Sequence, residues 1–267
     1  MKILGIEAAA KVAGAAVCEN DRILAEEFTD GALTHSETLM PMIDRVLQKA
    51  QIPMDEIDLI TLTNGPGSFT GLRIGAATAK GLALAKARID EEGHITGGIP
   101  LLPLPTLEVL AFGAVGYVRN LPEFAGKKPI LVTTMDARRH QVYAAAFDMD
   151  LTVLIAPEAM PPDELAKKLD KMERPCLFLG DASAIYQDVF QETLGSKAFL
   201  APEEIRGLRA GTSCRLAEKK IREAEEKGSL LPCVHGWEMR IEYLRKPQAE
   251  REREERLRRA EAEGERP

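Results

Sequence analysis

Apolar residues gather along this chain in short bursts whose period changes from two, as in strands, to between three and four, as in helices. "KILGIEA", "AGAAVCE" and "RILAEEFT" are three brief apolar-rich runs split by turn residues, and they predict an antiparallel three-stranded start. In "THSETLMPMIDRVLQKAQI" the apolar positions take helical spacing, with Leu39, Ile43, Val46, Leu47 and Ala50 on one face and Met40 and Met42 beside it. Thr34 and Glu37 have capping-box spacing, while Pro41 predicts either a later helix start or a mild bend. "IDLITLTN" reads as a strand, and "GLRIGAATAKGLALAKA" as a helix beyond a glycine-rich turn. The second half replays this order. "LPTLEVLAFGAVGYV" suits a helix, and "PILVTTMDARRHQVYAAAFDMDLTVLIA" supplies strands around a turn at Arg138 to His140. "PPDELAKKLDKM" starts a helix at Pro162 and Asp163, and "CLFLGDASAIYQDVFQETLG" is strand, glycine turn and helix. A duplicated α/β arrangement is the economical reading. "CRLAEKKIREAEEKG" adds an amphipathic helix expected to pack back on the first half.

Composition narrows the function. The chain has 267 residues, is 45% apolar and carries a formal net charge of -7, so autonomous binding to RNA or an anionic membrane is disfavoured. Cys18, Cys176, Cys214 and Cys233 stand singly, which suits reduced thiols in a cytoplasmic protein. The start does not read as a signal peptide, and no apolar run approaches the roughly 18 residues of a spanning helix. From Lys246 the sequence is a charged tail with Leu257 its only large aliphatic residue, read as a solvated helix or a disordered arm.

The turn "NGPGSFTGLRIG" is the densest chemical signal. It is not a Walker loop, because Leu72 follows Gly71 and no lysine precedes Lys80. The dinucleotide fingerprint fails by one position, since Gly65 and Gly67 are followed by Thr70 and then Gly71. Two readings remain: a tight strand-to-helix turn, or one whose amides bind an anion. In the helix beyond it, Gly71, Gly75, Ala79, Ala83 and Ala87 recur every four residues, a stripe that lets another backbone approach, within the fold or from a partner.

"MKILGIEAA", "HSETLMPMIDRVL", "LITLTNGPGSFTGLRIGAATAKGLALA", "PTLEVLA", "MDARRHQVYAA", "GDASAIY" and "EYLRK" occur in the order found in the TsaB family, also called YeaZ, and the chain resembles that family over about residues 1 to 245. The resemblance implies an actin-like, Hsp70-like ATPase (ASKHA) fold of two duplicated βββαβα subdomains. It also implies a cytoplasmic role in making threonylcarbamoyladenosine on tRNAs that read ANN codons, as the non-catalytic sister of the transferase TsaD, with TsaE as the associated ATPase. On that basis the expected divisions are 1–103, 104–205, a returning segment 206–245 and the tail 246–267.

The implied partner surface lies on the first two helices, at His35, Glu37, Leu39, Met42, Ile43, Val46, Gly71, Arg73, Gly75, Ala79 and Ala83. It would pair with TsaD, or with a second copy when TsaD is absent. A large residue at Gly75 or Ala79 is then expected to abolish pairing and leave the monomer folded. The implied nucleotide site is weak: Glu7, Gly65, Gly67, Asp136 and Arg138 occupy its positions, but Ala8, Ala9 and Ala10 replace hydroxyl residues. No cofactor is expected for the isolated chain, ATP and Mg being used by the complex, and tRNA is reached through that complex. Metal binding is not expected either: the helix after the glycine turn lacks the HxxxH pair of TsaD-like transferases, and His35, His94, His140 and His235 stand far apart in sequence. Arg73, a cation in the first helical turn, implies a fixed partner such as an internal carboxylate. Arg138, Arg139 and His140 form an exposed hairpin tip or a tRNA contact. Trp237 lies where the family has a shorter connection, so the last boundary is loosely defined. The competing class is an independent actin-like ATP-dependent kinase.

Overall fold

The computed structural model describes residues 1–29, 34–89 and 95–245, so His94 and the charged tail lie outside the described residues. In chain order the elements are β1 (Lys2–Glu7), β2 (Gly14–Glu19), β3 (Arg22–Phe28), α1 (His35–Ala50), β4 (Leu59–Gly65), α2 (Phe69–Leu84), β5 (Ala87–Ile89), β6 (Ile95–Gly97), β7 (Leu101–Pro105) and α3 (Thr106–Arg119). There follow β8 (Ile130–Asp136), β9 (Val142–Phe147), β10 (Val153–Met160), α4 (Pro162–Asp170), β11 (Cys176–Leu179), α5 (Asp181–Ile185), α6 (Gln187–Leu194), β12 (Ala198–Leu200), α7 (Glu203–Arg206) and α8 (Ala210–Glu226).

Two sheets carry the duplication. The first has the order β3-β2-β1-β4-β7 and the second β10-β9-β8-β11-β12. In each, three strands run antiparallel and two more join in parallel on the side of the first strand. This repeated topology is the actin-like ASKHA fold. The expected break at 103/104 falls inside β7, which belongs to the first sheet.

Strand alternation sets the layers. Leu4, Ile6, Ala15 and Val17 face a core shared with Leu39, Met42, Ile43 and Val46 of α1 and Ala76, Ala79 and Ala83 of α2. Ile3, Ala16 and Cys18 face the opposite way, into a core with α3, α8 and Leu131, Met135 and Leu177 of the second sheet. Central strands buried on both faces explain why their sequences are almost wholly apolar. Beyond the second sheet, Leu165, Ala166 and Leu169 of α4 and Phe190 of α6 complete a third core.

Several local expectations change. α1 begins at His35, ahead of Pro41, so the proline does not delay it. Thr34 does not cap the helix through its side chain; its hydroxyl donates to Glu37 Oε2 at 2.6 Å. The single helix expected after Gly180 is divided at Tyr186 into α5 and α6.

After α8 the chain returns across the first sheet as a strap. Val234 pairs with Leu101 in an antiparallel bridge, Met239 is 2% exposed, and the Glu242 amide donates to the Asn64 carbonyl at 2.8 Å. Tyr243 then packs its ring on Phe69, tilted 37° at a centroid distance of 5.1 Å, and Arg245 Nη1 donates to the Ala137 carbonyl of the second half at 2.9 Å.

Candidate functional site: the cleft between the halves

The ends of β1, β4, β8 and β11 meet across a cleft of about 420 Å³, where open α/β architectures place their ligand sites. Its walls are Ala9–Lys11, Gly67–Thr70, Met135–Arg138, Tyr143, Asp181, Tyr243 and Arg245. Ser68 caps α2, its hydroxyl accepting from the Gly71 amide at 3.2 Å, so one of the amides that an anion would need is already bonded.

Glu7 does not line this cleft. It is 1% exposed, and its Oε1 accepts hydrogen bonds from the Ala9 amide at 2.8 Å and the Thr63 hydroxyl at 2.9 Å. Its Oε2 is buried with no partner, and burial pushes the carboxyl up to about 7 against the two hydrogen bonds. The side chain braces the first turn from below. Gly65 is also withdrawn: a Cβ there would collide with the carbonyl oxygen of Glu242, so the strap occupies the space above it. Gly67 does line the cleft, packed against Ala9.

In the second half Asp136 Oδ1 accepts the Arg138 amide at 2.8 Å, closing the turn, and Arg138 makes a 3.8 Å ion pair back to Asp136. The Asp136 amide in turn donates to Asp181 at 3.1 Å, and desolvation raises the Asp181 carboxyl. Arg138, Arg139 and His140 follow in left-handed conformation at the exposed hairpin tip. It is Arg245, not Arg138, that reaches between the halves. Glu7 is thus turned away from the cleft, while Asp136 holds its own turn and lines the cleft with Asp181. Among the described residues, no group of three or more His, Cys, Asp or Glu side chains is placed to hold a metal.

The positions assigned to a partner surface divide. Leu39, Met42, Ile43 and Val46 are buried in the first core, because α1 needs its whole apolar face to cover β2 and β3. Gly71, Gly75, Ala79 and Ala83 face inward as well. A Cβ at Gly71 would collide with the Ala8 carbonyl, one at Gly75 would lie 3.1 Å from Ala8 Cβ, and Ala79 is 0% exposed. The bare stripe therefore serves close packing of α2 on the first turn, not a partner. The outward face of α2 carries Arg73, the small residues Ala77 and Gly81, and Leu84, followed by Ala85 at the C-cap, and a Cβ at Gly81 would meet nothing within 4 Å. Beside it α1 exposes Glu37, Pro41 and Met40, the last 48% exposed. His35 is half-buried and its Nε2 lies 2.9 Å from the Ala10 carbonyl, fixing the first turn to α1. Arg73 meets no carboxylate among the contacts found for it: its guanidinium sits 3.8 Å from the Phe69 centroid and Nε donates to Tyr243 Oη at 3.1 Å. The strap residues Tyr243 and Arg245 were not foreseen as cleft walls; "EYLRK" marks them in the sequence without saying where they go.

Residues 23–253 match the family model described as TsaD, tRNA N6-adenosine threonylcarbamoyltransferase. The chain belongs to this family, in its TsaB/YeaZ branch. It is 29% identical over 256 residues to the tRNA threonylcarbamoyladenosine biosynthesis protein TsaB of Bacillus subtilis, covering 94% of this chain and 96% of that one. With TsaB of Escherichia coli it shares 30% identity over 150 residues, 56% of each chain. The solved structure of YeaZ from Pseudomonas aeruginosa superposes with a TM-score of 0.67 at 21% identity, covering 91% of this chain and 99% of that one. No helix among the described residues is long and apolar enough to cross a membrane.

Proposed function

We propose that this chain is a cytoplasmic, non-catalytic subunit in the synthesis of threonylcarbamoyladenosine on ANN-decoding tRNAs. The observation that carries the reading is the inward turn of Glu7: the carboxylate at the mouth position of the fold is spent on the Ala9 amide and Thr63 rather than offered to a ligand. A subunit so built acts through its surface. The surface that fits is the outward side of α1 and α2, where Met40 and the small residues Ala77, Gly81 and Ala85 let two further helices lie close. The partner is a TsaD-type transferase, whose family model this chain matches over residues 23–253, with a TsaE-type ATPase using ATP and Mg in the same assembly. tRNA is engaged through the assembly, in keeping with the net charge of -7. Alone, the chain pairs with a second copy through the same face.

The test is reconstitution with TsaD-type and TsaE-type proteins, threonylcarbamoyl-adenylate and substrate tRNA, omitting one protein at a time. Modification falls to background when this chain is left out. Undiminished modification without it, or ATP turnover by this chain alone that Glu7→Gln abolishes, would overturn the reading and favour the actin-like kinase.

A further inference from the structure

Arg73 stands on the outward line of α2 that continues through Ala77 and Gly81, and all three are exposed. Its guanidinium carbon lies over the Phe69 ring, 3.8 Å from the centroid, and Nε donates to the Tyr243 hydroxyl at 3.1 Å. Tyr243 belongs to the strap, 170 positions further along the chain, so the end of the strap helps to seat a side chain of α2. These contacts use one face of the guanidinium and one of its donors. Nη1 and Nη2 have no partner among the described residues.

Nothing in the fold calls for a cation at this place. Near the N-terminal end of α2 it gains nothing from the helix dipole, and it meets no carboxylate among the described residues. An arginine already held by two contacts has lost much of the side-chain freedom that binding would otherwise remove. Its planar fork of terminal nitrogens matches the two oxygens of a carboxylate.

Pairing makes that match obligatory. Ala77 and Gly81 present almost nothing beyond backbone, so a partner helix laid along this line approaches closely and strips water from Arg73. A desolvated cation with unmet donors is costly, and the partner has to answer with an acceptor. A second copy of this chain answers poorly: α2 contains no acidic residue, and Glu37 of α1 already accepts the Thr34 hydroxyl.

Resting on the pairing proposed above, we propose that Arg73 is the charged anchor of that face. A TsaD-type partner lays an Asp or Glu side chain across Nη1 and Nη2, while Phe69 and Tyr243 hold the guanidinium in position. The strap is thereby part of the pairing surface as well as a wall of the cleft.

Titration of the full chain against a purified TsaD-type partner, by biolayer interferometry at low and high salt, tests this. Wild-type affinity falls as NaCl rises from about 0.05 to about 0.5 M. Arg73→Gln weakens pairing roughly thirtyfold, the scale of removing one member of a desolvated charge pair, and flattens the salt dependence. Its thermal midpoint stays within a few degrees of wild type, because the side chain is exposed. Arg73→Lys keeps the charge without the fork, so it remains salt-dependent and binds with intermediate affinity. Tyr243→Phe keeps the ring and removes the hydroxyl that holds Nε; dissociation quickens about threefold and the salt dependence remains. Gly81→Trp, run beside these, reports whether α2 is the pairing helix at all. If Gly81→Trp weakens pairing and Arg73→Gln does not, the face stands and the anchor is overturned. If neither weakens it, the pairing reading fails and takes the anchor with it. A loss in Arg73→Gln that keeps the full wild-type salt dependence is a packing effect and also overturns the proposal. Equal weakening of self-pairing by Arg73→Gln, read by sedimentation equilibrium, places the acceptor on a second copy and overturns the choice of partner.

Discussion

Glu7 holds one carboxylate oxygen in two hydrogen bonds and the other in none. Desolvation dominates, and the group titrates near 7 instead of 4.5. The folded chain therefore binds a proton that the unfolded chain has released across that interval, and stability declines as pH rises from about 4.5 to about 7. At ~1.4 kcal/mol per pH unit the decline attributable to Glu7 is roughly 3 kcal/mol. Glu7→Gln keeps the shape and removes the charge, so its urea midpoint is flatter than wild type between these values and higher at pH 8. A wild-type slope that survives the substitution unchanged assigns the titration elsewhere. The alternation of β1 already places Glu7 on the side of Ile3 and Gly5, away from Leu4 and Ile6, and that much could be read from sequence. What alternation cannot convey is that the Ala9 amide turns back to meet the carboxylate.

At the scale of the helix, α2 teaches a specific ambiguity. Gly71, Gly75, Ala79 and Ala83 form one small stripe and Ala77, Gly81 and Ala85 another, and only their neighbours decide which is covered. Periodicity finds such stripes but not their partners. In the structure Ala8 and the first sheet take the former, so Ala79→Leu forces a buried overlap and destabilises the monomer by about 1–3 kcal/mol, read as a lowered urea midpoint. Gly81→Trp points into open space. It leaves the monomer folded, raises helix propensity, and weakens pairing with the TsaD-type partner at least tenfold in a pull-down titration. Unchanged affinity moves the interface off α2. The helix, strand and turn order was legible because each segment has a distinct period, as was the exposed turn at Arg138 to His140. The break at Tyr186 was not, since no Gly or Pro interrupts the segment between Asp181 and Leu194.

At the scale of the molecule, the duplication announced itself through its repeated sequence order, whereas the strap did not. "CVHGWEMRIEYLR" has no sustained period, and Val234, Met239 and Tyr243 are spaced for a meandering path over other elements rather than for a strand or helix. Yet Met239 enters the first core, and Met239→Ala lowers stability by about 2–5 kcal/mol in urea denaturation, as expected of a buried side chain removed from a filled site. A loss under 0.5 kcal/mol would show the strap to be a loose cover. The strap also couples distant parts of the sequence in time. During synthesis the first half emerges early, but the bridge to Leu101 and the residue that fills the space beneath α2 come only with the last stretch of described chain. The nascent first half must wait, its edge unpaired and its core unfilled, until Val234 and Met239 have been made. That interval is when a chaperone or a premature partner would find it most open.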